Sequence, residues 1–167
     1  MSVQVRPIFR NDCGAFVAKH HSHHKRHRGR WVSLGAWLGG ELWGVVVIAR
    51  ASARKLQEQG AFEITRLCVK TGAPHCTASK LLGHAWRLAK GAGIRRLVSY
   101  TRSDEPGTCY RAAGWHATVR TEAEDWSRSA TRKGFTSWLP GMYTPSTETV
   151  ARVRWEIGPD SLPPIPR

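Results

Sequence analysis

The stretch ITRLCVKTGAPHCTASKLL, residues 64–82, joins a strand to a helix through a short loop. Upstream, AFEITRLCVK (61–70) is rich in Phe, Ile, Leu and Val and reads as a buried strand. Downstream, Ala78, Leu81, Leu82, Ala85 and Ala89 recur at helical spacing. Thr77 is the candidate cap of this helix, and Gly91 and Gly93 stop it. A helix start presents unpaired N–H groups and partial positive charge, so the loop before it suits a phosphate.

Working outward, VQVRPIF (3–9) reads as a first strand, and Asn11 or Asp12 can cap the helix after it. WVSLGAWLGGELWGVVVIAR holds two apolar segments around a Gly39-Gly40 hairpin turn. SARKLQEQG is a short helix ended by Gly60, and IRRLVSYT (94–101) is another strand. EPGTCYRAAGW gives a short helix opened near Pro106 and closed by Gly114. HATVRTEAE and TVARVRWEIG (149–158) read as the last strands, with a Gly/Ser/Pro-bearing loop region between them. The order β-α-β-β-α-β-α-β-α-β-β predicts an α/β (α+β) fold, a mixed central sheet flanked by helices. Residues 1–158 form one domain, and 159–167 a Pro-rich tail that is extended or disordered.

The chain has 167 residues, enough for one domain with a core. No apolar run approaches the roughly 20 residues that span a bilayer. The N-terminus lacks the apolar core of a secretion signal, so the expected compartment is the cytoplasm. Cysteines at 13, 68, 76 and 109 form no CxxC pair, which argues against a zinc ribbon or redox dithiol and for free thiols. Lys and Arg number 26 against 12 Asp and Glu, a net charge of +14. That excess points to a polyanionic partner, double-stranded DNA first, with a solvated basic surface as the plain alternative.

AKHHSHHKRHRGRW (18–31) concentrates the charge. His20, His21, His23, His24, Lys25, Arg26, Arg28 and Arg30 suit a grip on DNA phosphates. A metal site is the minor alternative: His20 and His24 can share a helical face, but no nearby Asp or Glu completes a ligand set. A second basic region spans 120–133. Trp126 and Trp138 lie in or near it; they are candidates to stack on a flipped base, or pack as ordinary loop aromatics.

The element order, the strand ending in Leu67-x-Val69 with its loop and helix, and the Tyr110-x-x-x-Gly114-Trp115 signature resemble the GNAT acyltransferase superfamily over residues 3–157. In that superfamily an Arg/Gln-Gly-x-Gly-x-Gly/Ala loop closes on coenzyme A. Here the glycine-like positions hold His75, Thr77 and Ser79, and Gly72 lies earlier in the loop. The pattern E-x-T-R-L-C, then S-Y-T-x-x-x-E-P-G, then R-A-A-G-W is similar to the phage-associated Mom-like branch. The resemblance implies a DNA-modifying transferase. It would convert adenine in duplex DNA to an N6-carbamoylmethyl derivative and so block host restriction, in the host cytoplasm. It implies acetyl-coenzyme A or a related acyl donor on Val69, Gly72, Thr77, Ala78, Ser79 and Lys80, and leaves iron open. It also places functional residues at Arg66, Ser79, Asp104 and Tyr110.

The residues leave alternatives at each position. Tyr110 can protonate a leaving thiolate or pack as a core tyrosine. Glu63, between Phe62 and Ile64, is a general base with a pKa raised by burial, or a structural partner of Arg66. Simple alternation puts Glu63 and Arg66 on opposite strand faces unless a bulge intervenes. Arg66, mid-strand, needs an anionic partner and suits an anion clamp. Asp104 follows a strand end, where chemistry often sits, in sequence that also suits an ordinary turn. Thr77 and Ser79 can bind phosphate through their hydroxyls or cap the helix. Two rival functions stay open. One is an acetyl-coenzyme A-dependent N-acetyltransferase of a small amine or amino-modified base. The other is a non-catalytic DNA-binding protein on the same scaffold. The oligomeric state is open, a homodimer included.

Overall fold

A computed structural model describes residues 2–20, 31–122 and 151–165. Among these the elements run β1 (Gln4–Pro7), α1 (Arg10–His20), β2 (Val32–Leu38), β3 (Glu41–Arg50), α2 (Arg54–Glu58), β4 (Phe62–Val69), α3 (Thr77–Gly91), β5 (Leu97–Arg102), α4 (Thr108–Ala112), β6 (His116–Thr121) and β7 (Arg152–Ile157). This is the order that the periodicity predicts. The strands form one mixed sheet in the order β1-β2-β3-β4-β5-β7-β6. Neighbours are antiparallel except β4 and β5, which run parallel.

Helices cover both faces, which is why β3 reads as a continuous apolar run. On one face Leu81, Leu82, Ala85 and Ala89 of α3 pack with Val46, Ile48, Ile64 and Leu97, and Tyr110 of α4 joins them. Complete burial of Leu81 and Leu82 contributes about 2 kcal/mol each. On the other face Cys13, Phe16 and Val17 of α1 pack with Val45, Val47 and Cys68. Leu56 of α2 meets Ala51, Ala61 and Val98 on that same side. The cysteines are free, and burial pushes the Cys68 thiol up to about 11.

The turn between β2 and β3 uses Gly39 and Gly40, both at positive φ, as a tight hairpin requires. Two capping expectations are corrected. Helix α1 already begins at Arg10, and the Cys13 N–H donates to the Phe9 carbonyl. Asn11 and Asp12 therefore sit inside the first turn, where Asp12 suits the helix dipole. In α3 the cap residue is Cys76, and Thr77 is the first helical residue. The tail after β7 turns at 158–160, where the Ser161 N–H donates to the Gly158 carbonyl at 3.2 Å, and runs on without regular structure to 165. Leu162 N–H donates to Glu156 Oε2 at 2.9 Å, and Ile165 N–H to the Ala117 carbonyl at 2.9 Å. Among the described residues no helix is long and apolar enough to cross a membrane.

One irregularity of the sheet positions the candidate site. The β4–β5 ladder pairs Phe62 with Leu97, Glu63 with Val98 and Ile64 with Ser99, then ends. Beyond that point β4 runs on to Val69 and β5 to Arg102 as separate arms. At the same level β4 carries a bulge. Ile48 pairs with Ile64 and Val47 with Arg66, so Thr65 is the extra residue. A bulge bends its strand and strengthens the twist, which lets the two arms part.

Candidate active site at the parting strands

The loop from β4 into α3 lies at the mouth of this opening. Gly72 takes φ +79. Cys76 takes φ +65, a conformation that a side chain makes costly, and its Sγ lies 2.8 Å from Nδ1 of His75. The Thr77 hydroxyl donates to the Pro74 carbonyl at 2.6 Å and is buried. It is thus neither a helix cap nor turned outward to a phosphate; it ties the loop to the helix start. The Ser79 hydroxyl donates to the Cys76 carbonyl at 3.0 Å. Within α3 the first-turn N–H groups of Ala78 and Ser79 have no acceptor four residues back in the helix. Val69 ends β4 opposite Gly44. Lys70 carries its ammonium to Glu41 and over the Trp43 ring, and Lys80 N–H closes onto Cys76.

The bulge at Thr65 settles the relation between Glu63 and Arg66. With one residue extra between them, both side chains leave β4 on the α1/α2 face. Glu63 Oε2 accepts the Ser52 N–H at 2.7 Å. Arg66 donates to the Thr65 carbonyl. Burial pulls the Arg66 guanidinium below its usual pKa, the Glu63 carboxylate works against that, and Arg152 adds to it. Both partners of the expected pair are therefore together, and Arg152 of β7 joins them.

On the other face Tyr110 is buried. Its ring stacks on Trp155 at 5.4 Å and meets Trp115 edge-on at 5.6 Å. Its hydroxyl lies 2.7 Å from the Ser99 hydroxyl. Ser99 is the last β5 residue paired with β4, so this contact sits at the vertex of the opening. Burial pushes the Tyr110 phenol well above its ordinary pKa, and the Ser99 contact offsets part of the shift. Asp104 lies beyond β5 and takes both Nε and Nη2 of Arg102, at 3.1 and 3.0 Å.

Sequence reasoning missed several neighbours. Tyr100 follows Ser99 and is cross-strand partner to Arg154, whose guanidinium holds its phenol. Burial raises the Tyr100 pKa, and Arg154 opposes the rise. Glu156 is fully buried and takes Arg96 at 2.7 and 2.9 Å and Arg154 at 2.8 Å. The alternation Arg152, Arg154, Glu156 in the last strand was the signal that one face of it is charged.

Other candidates lie elsewhere. His20 ends α1, its ring 4.6 Å from Phe16. His21, His23, His24, Lys25, Arg26, Arg28 and Arg30 fall outside the described residues, as do Trp126, Trp138 and most of the 120–133 region. Among the described residues no group of three or more His, Cys, Asp or Glu could hold a metal ion.

Against known proteins, the model of the Mom protein family matches residues 2–140. The chain belongs to the Mom protein family. No curated protein matches it. Among solved structures it is similar to an IAA acetyltransferase from Bacillus cereus, at 18% identity and TM-score 0.63, covering 94% of this chain and 99% of that one. A Bacillus subtilis acetyltransferase in complex with CoA aligns at 14% identity and TM-score 0.60, over 94% and 97% of the two chains. An acetyltransferase of the GNAT family from Streptococcus pneumoniae aligns at 14% and 0.62, over 94% and 99%. At such identities the likeness fixes the fold: this Mom-family chain has the GNAT architecture.

Proposed function

We propose that this Mom-family chain is a transferase that modifies adenine N6 in duplex DNA with a carbamoylmethyl-type group, in the host cytoplasm, and so protects that DNA from restriction. The observation that carries the reading is the parting of β4 and β5 beside the α3 loop. It opens the sheet between a helix start suited to phosphate and a face rich in arginine.

The loop fits a donor of the coenzyme A type. The inward Thr77 hydroxyl leaves the outer side of the helix start to backbone N–H groups. Ala78 and Ser79 place only small side chains there. Ala78, Ser79 and the loop around Gly72 would hold the donor's pyrophosphate, with Val69 and Lys80 flanking. Such a donor would supply an acyl group as a thioester; attack by the adenine amine would form a C–N bond, break the C–S bond and release the thiol, whereas a carbamoylmethyl group, joined to N6 through its CH2 carbon, would need a donor activated at that carbon. A structure similar to this one is described in complex with CoA, which supports a donor of that class.

The chain's own groups then divide the work. Glu63, fixed by the Ser52 N–H, is placed to take a proton from the adenine amine. Arg66 beside it holds negative charge near the attacking atom. Tyr110, at the vertex, gives its phenolic proton to the leaving group and regains one through Ser99. Burial raises its pKa, so the phenol is protonated and able to donate to the departing group.

Two measurements test the reading. Calorimetric titration with acetyl-coenzyme A reads the donor site. DNA recovered from expressing cells is challenged with adenine-site restriction endonucleases. Donor binding with protected DNA is expected. Donor binding with DNA cut at the normal rate, while an amine acceptor turns over, would favour the plain N-acetyltransferase.

A further inference from the structure

Helix α3 keeps its charge on the side turned away from the sheet. Leu81, Leu82, Ala85 and Ala89 are buried against the core. Lys80, Gly83, His84 and Arg87 share the opposite side at helical spacing, and the helix holds no acidic residue. The Arg87 guanidinium folds back over Gly83: its Nη1 would lie 3.4 Å from a Cβ placed there. Side chains on a helix lean toward its N-terminus, so this group points toward the helix start. Gly83 lies one turn from Ser79, about 6 Å along the axis.

Arg87 has a poor partner. Its Nη2 lies 2.8 Å from Nδ1 of His84, and the same ring nitrogen lies 2.9 Å from the Lys80 carbonyl. A guanidinium only donates and a carbonyl only accepts. One ring nitrogen satisfies one of them, by accepting from Arg87 or by donating to the Lys80 carbonyl. An anion that drew Arg87 outward would free Nδ1–H for that carbonyl, and every group would then be satisfied. Arg87 is exposed, so an anion can reach it. Among the described residues no carboxylate pairs with Arg87 or with Lys80.

We infer that Arg87, with Lys80 before it, takes the 3′-phosphate of a coenzyme A-type donor. This rests on the reading that the start of α3 holds the donor's pyrophosphate. One helical turn from that start to the guanidinium is on the scale of the ribose that separates a 3′-phosphate from a 5′-diphosphate. A phosphomonoester brings about two negative charges and three acceptor oxygens, enough to engage a guanidinium fork and an ammonium together. A phosphodiester of DNA brings one charge and suits the pair less well. The outer side of α3 therefore selects a donor whose nucleotide carries a 3′-phosphate over one that lacks it.

Calorimetric titration with coenzyme A and with 3′-dephospho-coenzyme A tests this. The wild type should bind coenzyme A about 10-fold more tightly than the dephospho form. Arg87→Gln should lose most of that preference and keep its affinity for the dephospho form. Arg54→Gln removes an equal charge from exposed α2, on the other side of the sheet, and should keep the preference. Equal wild-type affinity for the two forms, or binding of neither, would overturn the site. So would an Arg87→Gln protein that retains the preference. Weaker duplex DNA binding by Arg87→Gln with the preference intact would also overturn it, because the arginine would then serve the acceptor. A preference lost in Arg87→Gln, beside unmodified cellular DNA, would sink the DNA-modification reading and leave this site standing. Modified DNA from a chain indifferent to the 3′-phosphate would do the reverse.

Discussion

Tyr110 packs in the core, and the proposed function gives it a chemical role as well. Its ring lies between Trp115 and Trp155, while its hydroxyl reaches Ser99 at the strand vertex. Tyr110→Phe keeps the ring and removes the proton. Stability should drop by only about 1 kcal/mol, the worth of one buried hydrogen bond. Turnover should drop about 100-fold, as loss of a general acid does. Thermal unfolding beside single-turnover kinetics separates the two effects. Glu156 is the opposite case, a buried charge with a structural part. Burial pushes its pKa up, but the Arg96 fork, the Leu162 N–H and Arg154 outweigh that and hold it below the usual value. Its contribution is full above the pKa of an unfolded glutamate and is lost as pH falls through the lowered folded value. Glu156→Gln should cost about 3 kcal/mol at neutral pH, by stranding two guanidiniums. It should also flatten the acid limb of stability against pH in urea titrations. Tyr110 was legible because it belongs to a local signature. Ser99 was not, because its partner lies in another element and a serine in a strand announces nothing.

The elements themselves were readable from periodicity, and their exceptions were not. The alternating pattern in β4 puts Glu63 and Arg66 on opposite faces. The extra residue at Thr65 reverses that, since side-chain period does not reveal how many residues face each partner. Caps slipped for a related reason. Thr77 has the right side chain for a cap, yet the chain turns at Cys76 through a left-handed conformation. That conformation costs a non-glycine residue about 1–2 kcal/mol, part of which glycine recovers. Cys76→Gly should therefore raise stability by about 0.5–1 kcal/mol in denaturant unfolding. A fall in stability would mean that the Cys76–His75 contact outweighs the backbone cost.

Across the whole molecule, composition bears on the proposed partner and topology on the proposed place of action. The +14 charge pointed to a polyanion without saying which surface meets it. Arg66, Arg102 and Arg152 come to one face of the sheet from three strands far apart in sequence. A partner held through its phosphates should show steep salt dependence, its affinity falling at least tenfold between about 50 and 200 mM salt. A flat response would refute a phosphate-held acceptor. The central claim is that the opening between β4 and β5 carries a group to adenine in DNA. Nucleoside mass spectrometry of DNA from cells expressing the wild-type chain or Tyr110→Phe tests it most directly. A new adenosine-derived nucleoside with the wild type, sharply reduced with the variant, is the predicted result. DNA of unaltered nucleoside composition in cells holding soluble, folded wild-type protein would contradict it.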